Sequence, residues 1–505
     1  MSDVNQYSIQ SPAFLKAASN IPVTVATSAP SSATAYGIPV AVRGAVPAEL
    51  GVSRERLEAA GFDAKVGSTL ILASGGGPVL VAVGVGDAST LDPEAFRDAA
   101  AMFARAASTH ATVALRLPEC CQLDAESAAQ VAAEGILLAR YLYNPLRRVP
   151  KGTPLDEVVL VADGSSAEAA GRGAHRGHLF AAAQMLARDF ANTPHSHLNA
   201  SSFAEIAIKL GAEKGFEVDV FDKEALIELG CGGLLGVNAG SVEPPRMIKL
   251  TYRPEGKAVG TLAYVGKGIM YDSGGISLKP SDPVHAQMKN DMSGAAAVLA
   301  AVSILAGLKA PTEVTGYLMC TDNMPSGTAM ALGDVLTMRG GTTVEVIDTD
   351  AEGRLIMADA LALAAEQGVD AIIDIATLTG SCMRALGPDL AGLAGNNQEL
   401  VEQVKDSSRA TGELVWQLPL YKPYIRMLDS GVADMQNCAP IGKPDAILAS
   451  LFLAEFVGDV PWAHLDICGT SQNNEDRSWR PAGCSGYGAR LLADFALRFN
   501  PDRLS

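Results

Sequence analysis

The chain has 505 residues and a formal net charge of −17, with 48% hydrophobic and 19% charged residues. That length exceeds what one ordinary hydrophobic core organises, so two or three domains are expected, and the composition argues against disorder. A strongly acidic surface repels phosphate backbones and argues against non-specific nucleic-acid binding, although a local basic patch stays open.

The first twenty residues lack a basic start followed by an apolar run, so no secretory signal is read and a cytoplasmic protein is expected. Residues 36–42, 69–73, 79–85 and 112–117 read as short strands, and 93–107 and 125–143 as Ala-rich helices. This alternation indicates an α/β layer structure. Residues 83–87 (VGVGD) lack the third glycine and the acidic partner of a dinucleotide loop, and read as a plain strand-to-loop turn. The most basic short run, residues 146–151 (LRRVPK), reads as a solvated linker. Residues 167–191 form one long Ala-rich helix, with a break expected around 171–173, ending before Pro194. It divides the chain into an N-terminal α/β domain (1–166), a linking helix (167–192) and a C-terminal domain (193–505). Beyond it, apolar runs at 247–250, 261–265, 314–319, 344–347 and 371–375 read as strands, and 291–305 and 355–366 as intervening helices. Continuous apolar strands of this kind suit a parallel sheet buried on both faces. No run approaches the roughly 18 consecutive apolar residues of a membrane span.

Eight cysteines are scattered, with Cys120 and Cys121 the one close pair, so reduced and mostly buried thiols are expected. Seven histidines are scattered too, without HExxH, so any metal would rely mainly on carboxylates. Three polar clusters occupy strand ends or glycine-rich loops: 265–280 (VGKGIMYDSGGISLKP), 288–297 (MKNDMSGAAA) and 348–355 (DTDAEGRL). Ligands converge in such loops of α/β sheets. Asp350 and Glu352, two residues apart, would share one side of an extended backbone, and two such carboxylates repel unless a cation lies between them. The plain alternative is that Arg354 neutralises both acids in a surface network. Asp272 and Asp291 tip the balance, because four converging carboxylates need metal charge. Lys267, confined by glycines, could turn neutral and ligate a metal, or be an ordinary exposed lysine; Lys279 could likewise be a solvated loop lysine.

The clusters resemble the leucyl aminopeptidase family, dinuclear metallopeptidases also called cytosol aminopeptidases. The family signature is NTDAEGRL, matched here by DTDAEGRL at 348–355 with seven of eight residues identical. The resemblance extends to 188–194 (RDFANTP), 229–245, 322–335, 376–380 (ATLTG), 431–435 and 462–469 (WAHLDICG), spanning roughly 180–495. It implies a small macrodomain-like N-terminal α/β domain and a larger catalytic α/β domain with a mixed, mostly parallel sheet. By resemblance, one divalent ion (Mn2+ or Zn2+) would be held by Lys267, Asp272, Asp291 and Glu352, and a second by Asp272, Asp350 and Glu352. A water between the ions would be the nucleophile, Lys279 would stabilise the oxyanion, and Arg354 would hold a bicarbonate acting as general base. The substrate's free amine would meet one ion and Asp291. Met288, Thr377, Gly380, Cys468 and Ser471 would border the pocket for a first residue such as Leu or Met, although core packing alone could account for Met288 and Cys468. A homohexamer acting on peptides is implied.

The sequence departs from the family in three places. Asp348 replaces asparagine, one residue is added between Lys279 and Asp291, and 328–334 (TAMALGD) lacks an Arg-Pro before Gly-Asp. A catalytically silent hexameric scaffold or a nucleic-acid-binding accessory protein of the same fold are the alternatives. The complete ligand set counts against the first. The −17 charge, without an Arg/Lys-rich stripe, counts against the second.

Overall fold

A computed structural model describes residues 21–73, 76–119, 122–440 and 442–504; Cys120, Cys121 and the first twenty residues lie outside these. The described chain forms two compact units, one containing residues up to Met185 together with Asn473–Gly483, the other Leu186–Gln472 and the segment from Cys484 onward.

The first unit carries a six-stranded sheet of β1 (Val23–Ala26), β2 (Ala35–Val40), β3 (Thr69–Leu72), β4 (Val79–Gly84), β5 (Thr112–Arg116) and β6 (Glu157–Val161), ordered β1-β6-β5-β2-β4-β3. All neighbours run parallel except β3, which is antiparallel to β4. Helices α1 (Pro93–Ala106) and α2 (Ala125–Ala139) start at Asp92 and Asp124, whose carboxylates accept from the Ala95 and Ser127 amides. Such caps satisfy amides that the first helical turn leaves unpaired. Helix α3 (Ala167–Asn192) runs without the break expected at 171–173. A Cβ on Gly173 would stand 1.9 Å from the Glu126 carbonyl oxygen, so this glycine lets α3 lie directly against α2 rather than interrupting it.

The second unit is built on an eight-stranded mixed sheet. Its strands are β7 (Glu217–Phe221), β8 (Arg246–Tyr252), β9 (Thr261–Asp272), β10 (Glu313–Asn323), β11 (Ala371–Ala376), β12 (Ala391–Gly395), β13 (Val415–Gln417) and β14 (Trp462–Asp466). Their order is β13-β12-β14-β11-β9-β10-β8-β7. The four central strands, β14, β11, β9 and β10, are mutually parallel, so their carboxyl ends share one edge. From β9 the chain moves to β10 on one side, and only later to β11 on the other, which makes the end of β9 a topological switch point. The run at 344–347 instead contributes Thr343–Glu345 to a separate three-stranded sheet.

β9 extends seven residues past the expected end at 265. Its glycine-rich second half (GKGIMYD) holds strand geometry because β10 pairs with it as far as Asp272. Helix α4 (Ser293–Leu308) connects β9 to β10, and every residue from Ser293 to Leu305 is buried. With the preceding turn it forms a stretch, His285–Leu308, apolar and long enough by composition to cross a membrane, but 83% of its most apolar window is buried. It is the core helix of this unit. Helix α5 (Glu352–Glu366) packs through Leu355, Ile356, Met357 and Leu361 into a core cluster with Ala263, Val265 and Ile269 of β9, a cluster that contains no residue of α4.

A carboxylate-rich candidate metal centre

The three polar clusters converge at the carboxyl ends of the central strands. Asp272 is the last residue of β9, Asp291 lies two residues before α4, and Glu352 opens α5. Asp272, Asp350 and Glu352 each offer a carboxylate oxygen, all within 4.8 Å of one another. Lys267, mid-β9, places Nζ 2.9 Å from Glu352 Oε1 and 3.0 Å from Asp291 Oδ1, and donates at 2.8 Å to the Thr377 carbonyl. Lys279 places Nζ 2.7 Å from Asp272 Oδ2 and 2.5 Å from Asp350 Oδ1. The floor is closed, with the side chains of Lys267 and Glu352 4% and 1% exposed, whereas Asp350 at 34% faces solvent.

Asp350 and Glu352 meet in a different way from the extended backbone expected. Asp350 sits in a turn, Ala351 has φ −104° and ψ 41°, and Glu352 is already helical. A carboxylate in the first helical turn also benefits from the positive end of the helix. Asp348 accepts the Asp350 amide at 2.9 Å, a turn that an asparagine oxygen would make equally well. Gly353 gives Lys267 its room, since a Cβ there would lie 2.7 Å from Lys267 Cε.

Arg354 does not neutralise the two acids. It is buried, donates through Nη1 to the Asn437 carbonyl at 3.1 Å, and pairs through Nη2 with Asp445 at 3.0 Å. Its Nε is buried without a hydrogen-bond partner among the described residues.

Residues expected around the substrate pocket divide into two groups. Thr377 lies at the centre, with Oγ1 donating to Asp291 Oδ1 at 2.6 Å, and the Met288 carbonyl accepts the Asp291 amide at 3.4 Å. Gly380 opens a short helix (Gly380–Leu386) and Cys468 and Ser471 lie in a turn; Asp466 joins the two by accepting the amides of Leu378, Thr379 and Cys468. Ser471 Oγ donates to the Cys468 carbonyl at 3.3 Å. Burial, reinforced by Asp466 and Asp291, pushes the Cys468 thiol up to about 12, so it stays protonated near neutrality. The six cysteines among the described residues are all free.

Four supporting residues escaped the sequence reading. Asn323 ends β10 and donates to Asp272 and Glu352. Thr349 donates to the Gly274 carbonyl at 2.6 Å and accepts the Ser277 amide at 2.8 Å, tying down the loop that bears Lys279. Asn437 accepts the Ile347 amide and donates to the Asp348 carbonyl, bracing the turn from the other side. Asp466 is the fourth. A signal existed for Thr349, Asp466 and Asn323, which lie inside stretches that resemble the family, although nothing there marked Asn323 individually; Asn437 offered none beyond being a polar residue in a loop.

The electrostatics explain why the cluster suits cations. Burial, opposed by Lys267 and reinforced by Asp272, pushes Asp291 up to about 8. Burial and the neighbouring acids Asp272 and Glu352 push Asp350 up to about 7. Glu352 is raised by burial and by Asp272. Burial alone would lower the two lysines, but the surrounding carboxylates outweigh it and hold both above the ordinary range. Divalent ions ligate ionised carboxylates, so the donor set fits hard cations once these protons leave.

A pH dependence follows. A carboxyl raised on folding favours the folded state below its unfolded value near 4, and that advantage fades as pH rises through 7 and 8. Ion binding meanwhile strengthens by about tenfold per pH unit for each proton displaced. The increase in Tm produced by Mn2+ over chelated protein should therefore widen between pH 6 and 8. A shift that is flat or narrows over that range, in scanning calorimetry, would count against the cluster as the cation site.

Carboxylates gathered this tightly at a sheet's switch point, with no histidine among them, form a candidate site for divalent cations. The sequence model of the cytosol aminopeptidase family's catalytic domain matches residues 185–493, and that of its N-terminal domain matches residues 48–150. The chain belongs to the cytosol aminopeptidase family, and is thereby a metal-dependent aminopeptidase. It is 46% identical over 380 residues to a probable cytosol aminopeptidase of Chlorobaculum tepidum, covering 73% of this chain and 75% of the relative. A probable cytosol aminopeptidase of Synechococcus sp. is 41% identical over 459 residues, covering 88% and 89%. Among solved structures, the bottromycin maturation enzyme BotP in complex with Mn is 37% identical with a TM-score of 0.84, covering 92% of this chain and 99% of BotP.

Proposed function

We propose that this protein is a leucyl-type aminopeptidase that removes an N-terminal Leu, Met or other apolar residue from peptides with two divalent ions, Mn2+ or Zn2+. One observation carries the reading: three carboxylates within 4.8 Å of one another, flanked by Asp291 and two lysines, at a solvent-facing sheet edge. Lys267, once it gives up its proton to the incoming ion's charge, would hold one ion together with Asp272, Asp291 and Glu352, and Asp272, Asp350 and Glu352 would hold the other, so that Asp272 and Glu352 are shared. When bound, the ions supply positive charge that acidifies a water and polarises the scissile carbonyl.

The chain's own residues do the rest. Asp291, fixed by Thr377, would accept from the substrate's free α-amine and so limit cleavage to the first peptide bond. Lys279, at the solvent-facing side, donates to the carbonyl oxygen as negative charge develops there. Arg354 would hold a bicarbonate through its Nε, which no described residue engages, and that anion would supply a base where the cluster has no histidine. Met288, Gly380, Cys468 and Ser471 would border the first side chain, a polarizable methionine wall suiting Leu or Met. In this reading residues 167–192 link an N-terminal domain to the catalytic domain, and the enzyme works as a cytoplasmic homohexamer.

Removal of metal tests the core of the proposal. Full-length protein treated with a chelator should lose all hydrolysis of Leu- and Met-initiated peptides, and Mn2+, Co2+ or Zn2+ should restore it, since oxygen ligands alone do not choose among them. N-acetylated versions of the same peptides should stay intact. Chelator-resistant turnover, or cleavage of the blocked peptides, would overturn the reading.

A further inference from the structure

We infer that Asn323 is a positioning residue, whose side-chain amide holds the carboxylates of Asp272 and Glu352 together for the cations; the inference rests on the ion-site reading above. Asn323 is the last residue of β10 and is 2% exposed. The pairing of β9 with β10 slips by one residue just before it, which brings Asn323 opposite Asp272. Its Nδ2 lies 2.9 Å from Asp272 Oδ1, 3.3 Å from Glu352 Oε2 and 3.0 Å from the Thr349 carbonyl. All three neighbours only accept, so the amide must turn its NH2 toward them.

The chemistry of this position is narrow. A carboxylate would add a further negative charge to the cluster, and an ammonium would compete with the cations for the same oxygens. A hydroxyl reaches one acceptor at most. An amide offers two N–H donors without net charge, and so can orient two ionised carboxylates from one side, while their other oxygens, Asp272 Oδ2 and Glu352 Oε1, face Lys279 and Lys267. It also joins segments 51 and 29 residues away in sequence. Residues that hold metal ligands by hydrogen bonds in this way are worth about 10–100-fold in metal affinity.

The test uses full-length Asn323→Leu, similar in size but without donors, and Asn323→Ser, whose shorter hydroxyl cannot span both acids. Mn2+ affinity is read from free-Mn2+ electron paramagnetic resonance titrations, and kcat and KM for a Leu-initiated peptide are measured at rising Mn2+. We expect Mn2+ binding to weaken about 10–100-fold. The Mn2+ needed for half-maximal rate should rise by the same factor, with KM unchanged and kcat largely recovered at excess Mn2+. That recovery separates positioning from general loss of structure. Wild-type Mn2+ affinity in either folded variant overturns the inference alone; a wild-type protein that takes up no Mn2+ overturns the ion-site reading with it.

Discussion

Glu352→Ala should abolish peptide hydrolysis, lowering kcat/KM by at least about a thousandfold, while leaving the fold intact. Glu352 is 1% exposed, with Oε1 2.9 Å from Lys267 Nζ and Oε2 3.3 Å from Asn323 Nδ2. In the proposed site it is shared, so one substitution withdraws a ligand from both ions. Stability should suffer little, for two reasons. Alanine is the best helix former and stands here at a helix start, and removing one acid relieves the repulsion that raises its neighbours. Lys267 keeps Asp291 as a partner at 2.9 Å. Glu352→Gln, the same shape without charge, should behave alike. Unchanged circular dichroism with turnover near wild type at saturating Mn2+ would sink the two-ion assignment.

Lys279→Met should separate metal binding from catalysis. Methionine keeps most of the aliphatic stem, and the loop beneath it is fixed independently by Thr349 and by the Lys279 amide donating to the Ser273 carbonyl at 3.0 Å. No proposed ligand is lost, so Mn2+ should still bind. The charge meant for the developing oxyanion is gone, however, and kcat should fall about 100–1,000-fold with KM little changed. Arginine at this position should not rescue the rate, because its rigid planar fork is a poor substitute for a compact ammonium in a confined site. Titration of Mn2+ alongside steady-state kinetics decides the matter: loss of Mn2+ uptake in parallel with kcat would mean that Lys279 shapes the ion site rather than serving the substrate.

The sequence made the architecture and the chemistry-bearing residues legible to different degrees. Apolar runs such as 371–375 and 314–319 located core strands within a few residues, because burial on both faces leaves no other composition. The far half of β9 read as a loop, because Gly266, Gly268 and Lys267 carry no apolar signal; pairing with β10 supplies the strand geometry, and pairing is invisible in a single sequence. The helix containing Glu352 began three residues earlier than its apolar periodicity suggested, since its first turn faces the acidic cluster instead of a core. The carboxylates themselves stood out because acids are rare in glycine-rich strand ends. Asn323 and Asn437 did not, since an amide's value there depends on which distant segments fold against it.

Helix Ser293–Leu308, the buried helix that begins two residues after Asp291, bears on how this enzyme is lost as well as how it works. From Met292 to Leu308 there is no charged residue, and the native fold buries nearly all of the run. Heating or prolonged chelation that opens this unit would release a long uncharged segment with no gatekeeper inside it. Chains in that condition should associate faster than they recover, which would make the protein's working lifetime depend on the rate at which it opens, readable as a scan-rate-dependent Tm. Ions that fasten Asp291 just ahead of the helix would slow that opening.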